Sequence, residues 1–198
     1  IIVDDFSTDG TRDKLNLFKD NKIIKILYHE SNLGKGACIK TATQYLTGDY
    51  VVIQDADLEY DPKDIHKLVE TSETNYNTAI YGSRVLGRKK IIFNFFILFR
   101  IFANNLLTIL SNTINSQKLT DAHTCYKFIP SDIFKKLNLK HNDFSICPEI
   151  TTKLSKLNIK IIEVPISYVG RSYAEGKKIK FKDAIIAFYT LLKFRFFL

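Results

Sequence analysis

A chain of 198 residues with 45% hydrophobic content can bury one substantial core and suits a soluble or peripheral α/β domain. Its 29 basic residues outnumber 21 acidic ones, and the net charge of +8 favours an anionic partner. No helix-turn-helix, zinc-finger or RNP-like pattern accompanies the basic residues, which are interleaved with aliphatic and Phe-rich stretches. This argues against nucleic acid and for an anionic membrane surface.

Through residue 84 the chain alternates strand and helix. Strands are expected over 1–4, 23–28, 50–54 and 78–82, and helices over 11–20, 36–46 and 62–73, the pattern of a doubly wound parallel sheet. Ser7, Thr8 and Asp9 are candidate N-caps for the first helix, and Pro62 sits at a helix start, where its missing N–H costs least. The loop from His29 to Gly36 carries two glycines, so its backbone N–H groups and Lys35 could face a phosphate. Tyr50-Val51-Val52-Ile53-Gln54 reads as a buried strand running into Asp55-Ala56-Asp57. Open α/β sheets bind ligands at the carboxyl ends of their strands. Two carboxylates at such a frayed end can turn toward one hard cation, Mg²⁺ or Mn²⁺, whose other positions take diphosphate oxygens and water. That arrangement suits a nucleotide-sugar donor.

The second half changes character. A long apolar helix is expected over 91–110, a strand-like stretch over 119–129, short helices over 130–137 and 148–157, a strand over 159–166 and a helix over 182–198. Ile91 to Leu110 is long enough to cross a bilayer, has no acid, and carries Arg100 as its one charge. At about 100° per residue, however, Asn94, Arg100, Asn104, Asn105 and Thr108 fall within roughly 140° of one another. A lone Arg mid-span would cost about 2.5–3.5 kcal/mol, so this helix is expected to pack on the sheet or lie flat in a membrane interface. Basic residues cluster at Arg88, Lys89 and Lys90 and again at Lys177, Lys178, Lys180 and Lys182. Cys38, Cys125 and Cys147 lack the spacing of a zinc site or a disulfide framework and read as reduced, buried thiols.

Several segments together resemble family 2 glycosyltransferases of the GT-A fold. They are Ile1 to Thr11, the His29–Gly36 loop, Asp55-Ala56-Asp57, Tyr81-Gly82-Ser83-Arg84, Thr120 to Lys127, Cys147-Pro148-Glu149-Ile150-Thr151 and Tyr168 to Ile179. The downstream segments look like the branch that includes dolichol-phosphate mannosyltransferase and bacterial polyprenyl-phosphate glycosyltransferases. The resemblance implies a Rossmann-like, mostly parallel sheet flanked by helices, with membrane-associating apolar helices in the second half. It implies one catalytic domain over 1–198, with a nucleotide-sugar donor half at 1–84 and an acceptor, membrane-facing half at 85–198. Relatives usually begin one strand earlier, so the chain resembles a fragment lacking the first βα unit.

The activity implied is metal-dependent, inverting transfer of a hexose, mannose or glucose, from a GDP- or UDP-sugar to polyprenyl phosphate at the cytoplasmic face of a membrane. By the resemblance, Asp4 and Asp5 meet the nucleoside, Lys35 the donor phosphates, and Asp55 and Asp57 the metal. Arg84, Arg100, Lys127 and Arg171 are the candidates for the acceptor phosphate, with Asp57, Asp121 and Arg171 catalytic and Glu149 orienting. The stretch from Gly170 to Lys178 resembles a lid. Asp143 and Cys147 stand where relatives carry Arg and Glu, and Ala103 where a serine is usual. Rival readings are a glycolipid or polysaccharide acceptor, a nucleotidyltransferase, and a non-catalytic membrane or scaffold protein.

Overall fold

The computed structural model describes residues 1–88, 95–171 and 181–197, without the side chains of 95–100, 181–185 and 187. Strands β1 (Ile2–Asp4) and β2 (Ile26–Tyr28) form a parallel pair, with α1 (Thr11–Asn16) between them and α2 (Lys35–Thr43) following. Four further strands, β3 (Tyr50–Val52), β4 (Ala79–Ser83), β5 (Lys127–Pro130) and β6 (Ile161–Pro165), make a second sheet in the order β3-β5-β4-β6. Helices α3 (Ile65–Glu73), α4 (Phe95–Asn115), α5 (Ser131–Lys136), α6 (Ile146–Lys156) and α7 (Phe181–Phe196) complete the chain.

The α/β class and the element order agree with the sequence, but the mostly parallel sheet needs correction. β4 and β6 run parallel, whereas β5 lies antiparallel between β3 and β4. The cause is local. Asp121 is bonded to the backbone N–H of Arg84, just past the carboxyl end of β4, so the chain enters β5 at that end and must run back along its neighbour. The expected strand over 119–129 shortens because Ala122 and Thr124 turn their carbonyls onto the Lys127 ammonium.

Side chains alternate across β4 and supply cores on both faces, as expected of a strand covered on two sides. Ala79 and Tyr81 pack with Ile129, Phe134, Ile146, Ile150 and Leu154. Ile80 joins Tyr60, Leu68, Tyr126, Phe128 and Ile166 on the other face.

Helix α4 turns part of the expected polar stripe inward, through Asn104 and Thr108, while Asn105 is exposed and Asn94 and the Arg100 side chain lie outside the described residues. Asn104 contacts Arg84 and Asp121, Thr108 and Ser111 are buried, and Asn115 reaches Thr152. The apolar side is turned out, leaving Phe102 64%, Leu106 55% and Ile109 61% exposed. The reason is that the interior at this edge is itself polar. Among the described residues, no helix is long and apolar enough to cross a membrane, so spanning is not supported for α4.

Candidate active site

The loops after β1 and β3 converge near the amino terminus of α2. Each contains a non-glycine residue in the left-handed region, Phe6 at φ 66° and Leu58 at φ 59°. Such conformations cost of order 1–3 kcal/mol and persist where surrounding bonds impose them. Here the bonds come from acids. Asp4 accepts the Ser7 N–H at 3.2 Å, and Asp57 accepts the Glu59 N–H at 3.1 Å.

Asp4 is buried and is also bound by Arg12 Nε at 2.6 Å. Asp5 accepts from the backbone N–H groups of Leu33, at 2.9 Å, and Gly34, at 2.8 Å, and pairs with His29 Nδ1 at 2.7 Å. These amides, expected to face a phosphate, therefore face Asp5. Glycine is required beside them: a Cβ on Gly34 would come within 2.5 Å of the Asn142 carbonyl oxygen, and one on Gly36 within 2.4 Å of that of His141. Among the described residues, the closely placed group of three metal-type ligands is Asp5, His29 and Cys38, not the acids after β3. Its carboxylate is already committed to the loop amides.

Asp55 and Asp57 follow β3 as expected, and each holds a cation. Lys35 Nζ lies 2.6 Å from Asp55 Oδ2 and 3.1 Å from Cys125 Sγ. Burial alone would lower the Lys35 pKa, but Cys125, Cys147 and Asp55 outweigh it and hold the ammonium well above its ordinary value. Arg171 Nη2 lies 2.9 Å from Asp57 Oδ2. Hard carboxylate oxygens that already attract positive charge fit Mg²⁺ or Mn²⁺, with further positions left for water and phosphate.

Glu59 organises this region and was missed in the sequence. Its carboxylate accepts the Arg171 N–H at 2.8 Å, Arg171 Nε at 3.4 Å and the Tyr168 hydroxyl at 2.7 Å. The alternation Asp55, Asp57, Glu59 was its one visible signal. Tyr168, in turn, lies under the Arg84 guanidinium, 5.2 Å from its centre.

The other predicted residues sit deeper. Arg84 forks onto Asp121, Nε to Oδ2 at 2.6 Å and Nη2 to Oδ1 at 2.8 Å. Asp121 is fully buried, and although burial alone would raise its pKa, Arg84 lowers it below the usual carboxylate range. Lys127, expected at the acceptor phosphate, is also fully buried, bonded to the carbonyls of Ala122 and Thr124 at 3.0 and 2.7 Å and lying over the Tyr81 ring. Glu149 is buried against the N–H groups of Lys140 and His141 and the Lys153 ammonium, tying the 140s loop to α6. Cys147 is buried, and a hydrogen bond with Cys125 lowers its pKa to about 6. The Arg100 side chain and residues 172–178 of the expected lid lie outside the described residues.

The sequence model described as Glycosyl transferase family 2 matches residues 1–137. The undecaprenyl-phosphate 4-deoxy-4-formamido-L-arabinose transferase of Photorhabdus laumondii is 25% identical over 195 residues, covering 97% of this chain and 56% of that protein. The same enzyme of Proteus mirabilis matches with the same identity and coverage, 25% over 195 residues. The chain thus spans little more than half the length of these relatives. Among solved structures, glucosyl-3-phosphoglycerate synthase from Mycobacterium tuberculosis, in complex with Mn²⁺, UDP and glucosyl-3-phosphoglycerate, superposes with a TM-score of 0.66. It is 15% identical, over 98% of this chain and 67% of that one. At that identity the likeness is one of fold. With its carboxylate pair after β3 and the family model matching most of its length, the chain belongs to glycosyltransferase family 2.

Proposed function

We propose that this chain carries the catalytic domain of an inverting hexosyltransferase that moves mannose or glucose from a GDP- or UDP-sugar to polyprenyl phosphate. The observation that carries the reading is the carboxylate pair Asp55 and Asp57, each within 2.9 Å of a cation suited to phosphate. Mg²⁺ or Mn²⁺ held by these two acids would neutralise charge on the departing diphosphate. Lys35 and Arg171 then bind phosphate oxygens, and Arg171 gains from a planar fork that matches them. Asp5 would act on the nucleoside side by ordering the Leu33–Gly34 amides and His29, with Asp4 and Arg12 bracing its loop.

The acceptor needs positioning more than deprotonation. A phosphate monoester has a second pKa near ~6, so its nucleophilic oxygen is already largely anionic at neutral pH. Arg100 is the proposed acceptor contact, while the buried pair of Arg84 and Asp121 braces the site from within. A polyprenyl chain must approach from a bilayer, and the outward Phe102, Leu106 and Ile109 on α4 offer an apolar face to a cytoplasmic membrane surface.

The test is to incubate the protein with polyprenyl phosphate in vesicles, Mn²⁺ and labelled GDP- or UDP-hexoses, then extract the lipid. Labelled lipid phosphate should form, and Asp57→Asn or excess chelator should abolish it. Transfer only to a glycolipid or polysaccharide would reject the acceptor. Release of pyrophosphate would reject sugar transfer in favour of nucleotidyl transfer.

A further inference from the structure

Lys35 and Arg171 stand against Asp55 and Asp57 where a cation belongs, but the two contacts are built differently. The Lys35 side chain is largely enclosed and shares its ammonium with Cys125. The Arg171 side chain is 35% exposed and meets Glu59 Oε1 through Nε at 3.4 Å as well as Asp57 through Nη2, while its main chain has bonds of its own. The Arg171 N–H is held by Glu59 Oε1 at 2.8 Å, and two residues earlier the Val169 N–H donates to the Glu59 carbonyl at 2.9 Å. Tyr168 pins the other oxygen of the same carboxylate. The side chain can therefore leave Asp57 while residues 168–171 keep their main-chain bonds to Glu59.

A divalent cation that takes Asp57 Oδ2 competes with the guanidinium held on that oxygen at 2.9 Å, because two positive centres sharing one carboxylate oxygen repel in a partly enclosed site. We infer that Arg171 is an exchangeable counter-ion of Asp57. The metal displaces it, and the displaced guanidinium, still anchored through Glu59, is handed to the phosphate oxygens that arrive with the metal. The inference rests on the proposed reading of Asp55 and Asp57 as the donor site. It makes metal and nucleoside diphosphate bind cooperatively: metal alone must break the Arg171 contact, and nucleotide alone finds Arg171 engaged. By linkage, each ligand strengthens the other by the same factor.

The experiment measures free Mn²⁺ by electron paramagnetic resonance, using the whole chain with and without UDP or GDP, in the wild type, Arg171→Gln and Asp57→Asn. Removing a partly exposed ion pair should tighten Mn²⁺ alone by about three- to fivefold in Arg171→Gln. The factor by which nucleotide tightens Mn²⁺ should fall by about threefold or more, leaving the coupling that direct contact between metal and diphosphate supplies. A second measurement needs no variant. The side-chain Nε–H resonance of Arg171 in ¹⁵N-arginine-labelled protein should shift on adding Mg²⁺, while that of Arg84, which is committed to Asp121, stays in place.

If Mn²⁺ binding is lost in Asp57→Asn yet is the same in Arg171→Gln as in the wild type, the exchange is wrong and the donor site stands. An Arg171 resonance unmoved at saturating Mg²⁺ overturns the exchange in the same way, even if Arg171→Gln fails to fold. Mn²⁺ binding indifferent to Asp57→Asn overturns both the exchange and the donor-site reading.

Discussion

Replacing Arg84 with methionine keeps the length of the side chain and removes its charge, and the structure sets the size of the effect. Asp121 is fully buried and accepts Arg84 Nε at 2.6 Å, Arg84 Nη2 at 2.8 Å and the Arg84 backbone N–H at 3.1 Å, with Asn104 at 3.5 Å. The variant keeps only the last two of these. Stripping one partner from a buried pair costs about 3–5 kcal/mol. The Arg84 side chain is 19% exposed, so water can partly re-solvate the orphaned carboxylate and the low end, about 3 kcal/mol, is expected. For a domain of this size that corresponds to roughly 6–12 °C in Tm. The pH dependence has a definite sign. The pKa of Asp121 is depressed in the folded state, so the pair's stabilisation is present above the unfolded carboxylate value and is lost as pH falls through the folded one. The deficit of Arg84→Met should therefore be largest near neutrality and shrink in acid. With no tryptophan in the chain, urea unfolding followed by circular dichroism is the suitable assay. Arg84→Met with Asp121→Leu should recover much of the loss, because no uncompensated charge remains. A single variant within about 1 kcal/mol of wild type at pH 7, or a double variant no better than the single, would refute the reasoning.

Three further outcomes follow from buried or exposed groups. Burial lowers the Lys127 pKa to about 8, so between there and the ordinary lysine value the unfolded chain binds a proton that the folded one does not. Stability should rise with pH across that window, and urea midpoints for Lys127→Met should lose that slope. Glu149→Gln weakens the acceptor of two N–H groups and an ammonium and should cost about 1.5–3 kcal/mol in urea unfolding, while leaving Mn²⁺ affinity unchanged. Partition onto anionic vesicles should weaken with salt, and Phe102→Ser with Ile109→Ser should reduce it by about tenfold or more, since each apolar side chain withdrawn from water contributes about 1.5–3 kcal/mol when fully buried. Sedimentation with neutral and anionic vesicles checks both parts.

Much of the donor loop was legible because its signals are local. A β-branched run ending in two acids marks the end of β3, and a Gly-Lys-Gly turn marks the start of α2. The partnership of Arg171 with Asp57 was not, since 114 residues separate them and no local pattern records it. Arg84 and Lys127 illustrate a second limit. A cation inside a motif looks the same in sequence whether it meets a ligand or a buried carboxylate, and here Asp121 and two carbonyls take them inside. Helix α4 illustrates a third: periodicity locates an apolar stripe but assigns it to the core only if the core is apolar at that place. Asp121 and Thr152 make it polar, and the helix turns accordingly.

The antiparallel insertion of β5 also bears on the order in which the chain can fold. β3 and β4 both belong to the first 84 residues, yet neither pairs with the other, and the strand that joins them begins at Lys127. As the chain leaves the ribosome, both strands must wait with bare edges while more than forty further residues are made. Closing so long a loop before any ladder forms slows folding and gives other chains time to pair with those edges. A piece ending at residue 84 should therefore aggregate instead of folding, because the donor loop it contains is held in a sheet that it cannot build alone.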